Sequence, residues 1–493
     1  MIATGNRPAR TCYHFSVLAQ PANRRPGVLP LLLVLASCLA LPVGPAAARG
    51  PTASVSLGDS FISGQAGRWQ GNSTDTRGSR SGTDRACVPA PFGCRYDTGR
   101  VYLGGTAPPG CARSDVAEIL SASLGVQDEI NLGCSGAQTK DVFRMSSGGR
   151  RFKGEAPQAD QLARIARDHT VKLIVLSIGG NDIGFQDVVT ACVLAYATRA
   201  RPCFQTQQAA IDAKLPQALA GVAKAISEIR AVMGSAGYRP WNYRLVLQSY
   251  PSPIPRAAEN RYPEAGLQRA LTGGCPFYDS DSNTARDSLV PLLDDNLKSI
   301  ALVTGVQFLS LRDVLQGREI CSKSTRLADA ANPPSGVTSE WARAIGALAI
   351  LQGAVIDEEA HPNAFAQKAL GRCLTLLFAR PTGSWACKNA PGRGPEAMSL
   401  SRASSLPDRF RLQLKVSPRR VVAGRRRCFR FRALSSGQPV EQVTIRFAGK
   451  RGRTDSRGRL RRCARVRARN YRARATRSGF RPVSVIVRAH APR

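Results

Sequence analysis

Histidine is the scarcest of the chemistry-bearing residues in this chain, with four among 493 positions. They do not cluster, and the 14 cysteines include no Cys-x-x-Cys pair, so the ligand patterns of zinc sites are missing and no metal is expected. No other cofactor is implied. Acidic residues are also few, 34 against 70 Lys and Arg, which leaves a formal charge of +36. Such an excess bears on partners and solubility rather than on fold. The longest apolar run, Val28 to Val43, is too short for a comfortable transmembrane helix and contains Pro30 and Pro42. No internal repeat is visible, and the length allows two to three domains.

What is present begins with a leader. Arg24 and Arg25 precede the apolar run and Ala46, Ala47 and Ala48 follow it, the layout of a secretory signal over residues 1–48 with the mature chain starting near Arg49. A second reading takes Leu35-Ala36-Ser37-Cys38 as a lipobox with processing at Cys38. Export accounts for the cysteines: Cys12 and Cys38 lie in the leader, and the remaining 12 are an even number suited to an oxidising, secreted or cell-surface location. Sequence alone leaves their connectivity open. Neighbours in order suggest Cys87 with Cys94, Cys111 with Cys134, Cys192 with Cys203, Cys275 with Cys321, Cys373 with Cys387, and Cys428 with Cys463.

The informative stretch is residues 54–64, SVSLGDSFISG, where a β-like run breaks at Gly58 and Asp59 and delivers Ser60 on a tight turn. A serine there is poised as a nucleophile if a base lies within hydrogen-bond reach. His14 is in the leader, His169 sits between a helix and a strand, and His490 is three residues from the end, which leaves His361, in EEAHPNAF, as the partner. Two further segments can donate to a developing oxyanion. NLGCSGAQT places small residues around Gly136, whose N–H has no Cβ in its way, and LIVLSIGGND ends an apolar strand on two glycines and Asn181.

GDSFISG, CSGAQT, GGND and HPN, in this order and at these separations, resemble the four blocks of the SGNH (GDSL) hydrolases. The resemblance spans roughly residues 52 to 380. It implies a flavodoxin-like α/β/α three-layer fold and ester hydrolysis by a secreted esterase or lipase, with Ser60 as nucleophile, His361 as general base, and Gly136 and Asn181 as oxyanion donors beside the Ser60 amide. One position departs. The family usually has Asp three residues before the histidine, whereas this chain has Glu358 there and Asp357 one earlier; some secreted actinobacterial members use a backbone carbonyl instead. Glu358 is taken as the third member, with Asp357 and a carbonyl as alternatives. The second, third and fourth cysteine pairs resemble the bridges of secreted actinobacterial SGNH lipases.

Along the chain, helical and strand periodicities alternate as a doubly wound sheet requires. Helices are expected over Cys111–Leu124, Pro157–Asp168, Ala209–Met233, Asn283–Val303, Ser339–Val355 and Asn363–Phe378. Strands are expected over Val126–Leu132, Val171–Ile178, Arg244–Tyr250 and Val306–Leu311. Gly64 to Gly110 reads as a disulfide-pinned loop over the active-site face. The hydrolase domain is thus set at 49–387 and a linker at 388–405.

From residue 406 the period changes to two, around Phe410, Leu412 and Leu414, then Phe429 and Phe431, Val443 to Phe447 and Val483 to Val487. This is the pattern of a small β-sandwich resembling bacterial Ig-like modules. From Ser399 onward there are about 28 Lys and Arg against 3 acidic residues. That charge suits either a solvated face or attachment to an anionic cell-wall polymer or membrane surface; its aromatics look like core rather than stacking platforms, which disfavours nucleic acid. Three functions remain in play: an esterase or lipase, an acetyl-polysaccharide esterase or phospholipase of the same fold, and a non-catalytic wall-binding protein.

Overall fold

A sheet of seven strands carries the first part of the chain, and its apolar residues explain why it is buried on both sides. In the computed structural model, residues 50–492 are described apart from 76, 354–356, 391, 406–411, 436–437, 456, 478–479 and 481. The leader, including Cys38, lies outside the described residues. Among the described residues no helix is long and apolar enough to cross a membrane.

The strands are β1 (Thr52–Gly58), β2 (Asp128–Asn131), β3 (Thr170–Ser177), β4 (Arg244–Gln248), β5 (Gln307–Asp313), β6 (Ser384–Lys388) and β7 (Ser399–Arg402). They lie in the order β2-β1-β3-β4-β5-β6-β7. All neighbours are parallel except the β6–β7 pair. Along β3, Leu173 and Val175 enter one apolar cluster while Ile174 and Leu176 enter the other. Two covered faces are what an all-parallel run of strands requires.

One face packs on α2 (Gln158–Asp168), α4 (Phe204–Ser235) and α5 (Val290–Thr304), through Leu162, Val222, Ile226, Ile229 and Leu297. The other packs on α6 (Ala364–Phe378) through Leu370 and Leu374 and on α3 (Phe185–Ala197) through Val189 and Val193. The result is a three-layer α/β/α fold of flavodoxin-like order, with β2 and β3 flanking β1 and later strands added outward beyond β3. In such sheets ligands bind outside the carboxyl ends of the strands where the order reverses.

Three expectations need correcting. Cys111–Leu124 is not a helix: its backbone donors go to distant acceptors, Ser114 to Ser63 O at 3.1 Å, Asp115 to Val101 O at 2.8 Å and Glu118 to the Gln367 side chain at 2.9 Å. Ser339–Val355 is helical only at Ala347–Leu351, and residues 354–356 lie outside the described residues. Alternate N–H groups of that stretch, at Trp341, Arg343 and Ile345, are taken by Arg318, His361 and Gly274 carbonyls, which imposes an extended path. Finally, 388–405 is more than a linker, because its Ser399–Arg402 pairs antiparallel with β6 while Met398 and Leu400 pack on the apolar core.

Beyond it, two sheets share a separate core. One contains Gln413–Ser417, Arg426–Ser435, Gln438–Pro439 and Arg459–Arg465; the other contains Arg420–Val422, Thr444–Phe447, Lys450–Arg453, Asn470–Thr476 and Val483–His490. Phe429 and Phe431 meet Phe447 edge-on at 4.7 and 5.4 Å, and all three are buried. Phe410 lies outside the described residues. The six cysteine pairs suggested by order are the six disulfides of the described residues.

Candidate active site

Ser60 sits immediately after β1 because the chain cannot continue straight. Gly58 has φ +142°, and a Cβ there would lie 1.8 Å from the Ser177 carbonyl oxygen, so only glycine fits between β1 and β3. Asp59 then caps the short helix α1 (Ser60–Ser63), its carboxylate accepting the Phe61 N–H at 3.2 Å. As the first helical residue, Ser60 keeps an N–H with no partner inside its helix. The Asp59 carboxylate also accepts the Tyr250 hydroxyl, which in turn accepts the Gly180 N–H at 3.3 Å. Burial pushes the Asp59 carboxyl up to about 7.

His361 comes from a segment 301 residues further along the chain. Its loop is laced to Trp341–Arg343: Ala360 N–H donates to Arg343 O at 2.8 Å, Arg343 N–H to His361 O at 3.0 Å, and Asn363 N–H to Trp341 O at 2.9 Å. Asn363 caps α6, accepting from Phe365 and Ala366, so the HPN segment turns directly into a helix that packs on the sheet. Ala360 is held at φ +61°, a left-handed conformation that a non-glycine residue adopts at some strain.

These two loops bring His361 Nε2 to 2.7 Å from Ser60 Oγ, with both side chains buried. The other ring nitrogen, Nδ1, lies 2.9 Å from the backbone carbonyl of Glu359. A carbonyl can only accept, so Nδ1 carries the proton and Nε2 presents its lone pair to the serine hydroxyl. Burial lowers the imidazole to about 4, against the smaller upward pull of the Glu359 and Glu358 backbone. It is therefore neutral, and able to accept a proton, at ordinary pH.

Glu358 does not orient the imidazole. Its carboxylate accepts the Tyr102 hydroxyl and the Trp69 indole N–H, the latter at 2.6 Å, and so fastens the His361 loop to the Gly64–Gly110 segment. Burial raises its carboxyl, opposed by those two donors. Asp357 accepts from Gln65 instead. The physical reason is path: with the Glu359 carbonyl turned toward the ring, the preceding carboxylates face away from it.

Gly136 occupies the turn after β2 at φ +81°. Cys134 N–H donates to Gly58 O at 3.0 Å and the Cys111–Cys134 disulfide holds the same turn, which ties it to the end of β1 beside Ser60. Among the described residues the Gly136 N–H has no acceptor in the protein. Asn181 follows β3, and its Nδ2 donates to Ala137 O at 3.0 Å, leaving a second N–H of the amide. The Asp182 carboxylate accepts from the Thr139 N–H and hydroxyl, which locks the two donor turns together.

The blocks that supply these groups fall within one matched region: the model of the GDSL-like lipase/acylhydrolase family covers residues 56–364. The chain belongs to that family. Lipase 1 of Streptomyces coelicolor is 28% identical over 191 residues, which are 39% of this chain and 56% of that protein. The chain thus spans little more than half of that relative's length. A crystal structure of an extracellular lipase from Streptomyces rimosus covers 67% of this chain and all of its own at 18% identity, with a TM-score of 0.35.

In this GDSL-family chain, Ser60 and Asn181 are among the residues lining a cavity of about 120 Å³, together with Phe61, Ile183, Val189, Ile211, Phe277 and Leu293. Its lining is almost wholly apolar. Among the described residues, the one group of potential metal ligands close enough to share an ion is Cys192, Cys203 and Asp281. The two sulfurs are bonded to each other, and the carboxylate accepts the N–H groups of Cys203 and Phe204.

Sequence reasoning missed Tyr250, Trp69 and Tyr102. Tyr250 lies just past β4, at a strand's carboxyl end, which was a usable signal; the other two lie in a loop whose pattern shows only that it is not core.

Proposed function

We propose that the protein is an extracellular serine hydrolase that cleaves carboxylic esters with an apolar acyl group through an acyl-enzyme on Ser60. The observation that carries this reading is the 2.7 Å contact between Ser60 Oγ and a neutral His361 Nε2, with Ser60 lining an apolar cavity. Ser60 Oγ attacks the acyl carbon while its proton passes to Nε2, and the imidazolium formed is held through Nδ1–H by the Glu359 carbonyl. The Ser60 N–H, Gly136 N–H and Asn181 amide stabilise the oxyanion. Collapse breaks the ester C–O bond and the alcohol leaves with the proton from His361. Water then attacks the acyl-enzyme by the same route and releases the acid.

An apolar cavity of this size favours acyl chains of several carbons over acetyl, which sets an acetyl-polysaccharide substrate second. Six disulfides support an oxidising, extracellular setting. The test is an esterase assay of the mature chain across acyl lengths with S60A as control. Hydrolysis should rise from acetyl to medium chains and fall by several orders of magnitude in S60A; full activity in S60A would refute the nucleophile, and a maximum at acetyl would refute the acyl assignment.

A further inference from the structure

Residues 412–492 carry an arrangement that folding alone does not explain. On the strand Arg426–Ser435, Phe429, Phe431 and Ala433 point into the core while Arg426, Arg430 and Arg432 are exposed. The neighbouring strand sets Arg465 directly across from Arg426, Arg461 across from Arg430 and Arg459 across from Arg432. On the other side, Lys415 faces Arg432. Like charges directly opposite one another in a sheet are destabilising. Nothing among the described residues compensates them: no ion pair involves any residue of this region, and the Asp455 carboxylate accepts only the backbone N–H groups of Arg457 and Arg459. Arg461 and Arg462 reach only the Cys428 sulfur and the Arg451 carbonyl. The Cys428–Cys463 disulfide spans two opposed residues in the same rows and so pins the register that keeps the cations face to face.

We propose that this face is a docking surface for a linear phosphodiester polymer that carries no bases. Alternate residues along a strand are about 6.8 Å apart and adjacent strands about 4.8 Å, so each row offers two cations about 6.8 Å apart and a third beyond the disulfide, over roughly 20 Å. A polymer with one negative charge per repeat of that length can lie along them and neutralise the repulsion. Two other anionic partners fit less well. Membrane-surface elements bury Trp, Phe or Leu among the lipids, whereas the large apolar side chains exposed in this region are Val422 and Ile486, both on the other sheet. Single-stranded nucleic acids stack on exposed aromatics, and Phe429, Phe431, Phe447 and Tyr471 are buried. This inference is independent of the hydrolytic reading.

The experiment measures binding of the full mature chain to fluorescently labelled poly(glycerol phosphate) by anisotropy over a salt series, with single-stranded DNA of equal charge and phosphatidylglycerol vesicles as further arms. The variant R430Q/R432Q/R459Q/R461Q should lose at least tenfold in affinity at low salt, and its log–log salt slope should fall by about three, at ~0.7 per phosphate contact. The Lys versions of the same four positions should keep binding. R164Q/R167Q/R199Q/R201Q, with the same net charge as the Gln variant, should change affinity less than twofold. If the quadruple variant fails to fold, R430Q/R461Q reads the same slope, expected to fall by about 1.4. Hydrolysis of a soluble ester should be unchanged throughout. Equal losses in both Gln variants would reduce the effect to net charge and overturn the proposal. So would no loss in either, tighter binding to DNA, or tighter binding to vesicles.

Discussion

The buried imidazole makes a prediction that separates this site from an exposed Ser–His pair. Burial brings His361 from its ordinary 6.5 down to about 4, and in the proposed mechanism the neutral form is the one that accepts the Ser60 proton. At pH 5.5 an imidazole with that value is neutral in about 97% of molecules, against about 9% for an unperturbed one. The kcat/KM for a neutral ester should therefore stay close to its plateau at pH 5.5 and be halved only near pH 4. The assay is initial-rate hydrolysis after brief exposure to each pH. Stability is a poorer readout because the buried groups oppose one another. Between pH 6.5 and 4 the unfolded chain protonates His361 while the folded chain does not, which lowers stability as pH falls, by up to about 3 kcal/mol. Asp59 and Glu118, raised by burial to about 7 and about 8, hold protons in the folded state that the unfolded chain releases, so their effect runs the other way and favours folding as pH falls through that range. Asp59 is adjacent to Ser60, so D59N belongs in the same series: a step near pH 7 that disappears in D59N is its own. A half-maximal pH near 6.5 in both proteins would refute the claim that His361 is shielded from water.

Two other outcomes follow from the geometry. E358Q should keep catalysis within about tenfold, because the Glu359 carbonyl orients the ring, while lowering Tm through the loss of charged acceptance from Tyr102 and Trp69; steady-state kinetics and a thermal melt check both, and a loss of several orders of magnitude in kcat would return the carboxylate to the triad. N181A should lower kcat by about 10²–10³, the usual effect of removing one oxyanion donor, with KM little changed; an unaltered kcat would remove Asn181 from the oxyanion hole.

Much of the fold was legible because a parallel sheet writes itself in apolar runs. LIVLS in β3 and LVLQ in β4 are buried end to end, and their neighbouring helices carry 3.6-residue stripes. The donor turns were legible for a related reason: glycine at 58 and 136 marks backbone that other residues cannot follow. Residues 111–124 and 339–355 misled because helical spacing of apolar side chains says which groups are buried, and their N–H groups found partners far away in the chain. The β7 strand hid inside linker composition, four residues long and at a sheet edge. The acceptor at Nδ1 could not be read as a side chain at all, and with Glu358 in the expected place a carboxylate was the natural choice.

That acceptor has a consequence for how this protein can vary. An orienting Asp or Glu can be deleted by a single codon change, but a backbone carbonyl is carried by every residue type, so no replacement at position 359 removes it. Only a change in the course of the loop would, and that course is fixed by Ala360 and by the ladder to Trp341–Arg343. The vulnerability of the proposed base has been moved from the identity of one side chain to the path of a segment. Drift at positions 357 to 359 is then free to answer to other demands, such as fastening the loop beside Trp69 and Tyr102, while the tautomer of His361 is inherited with the fold.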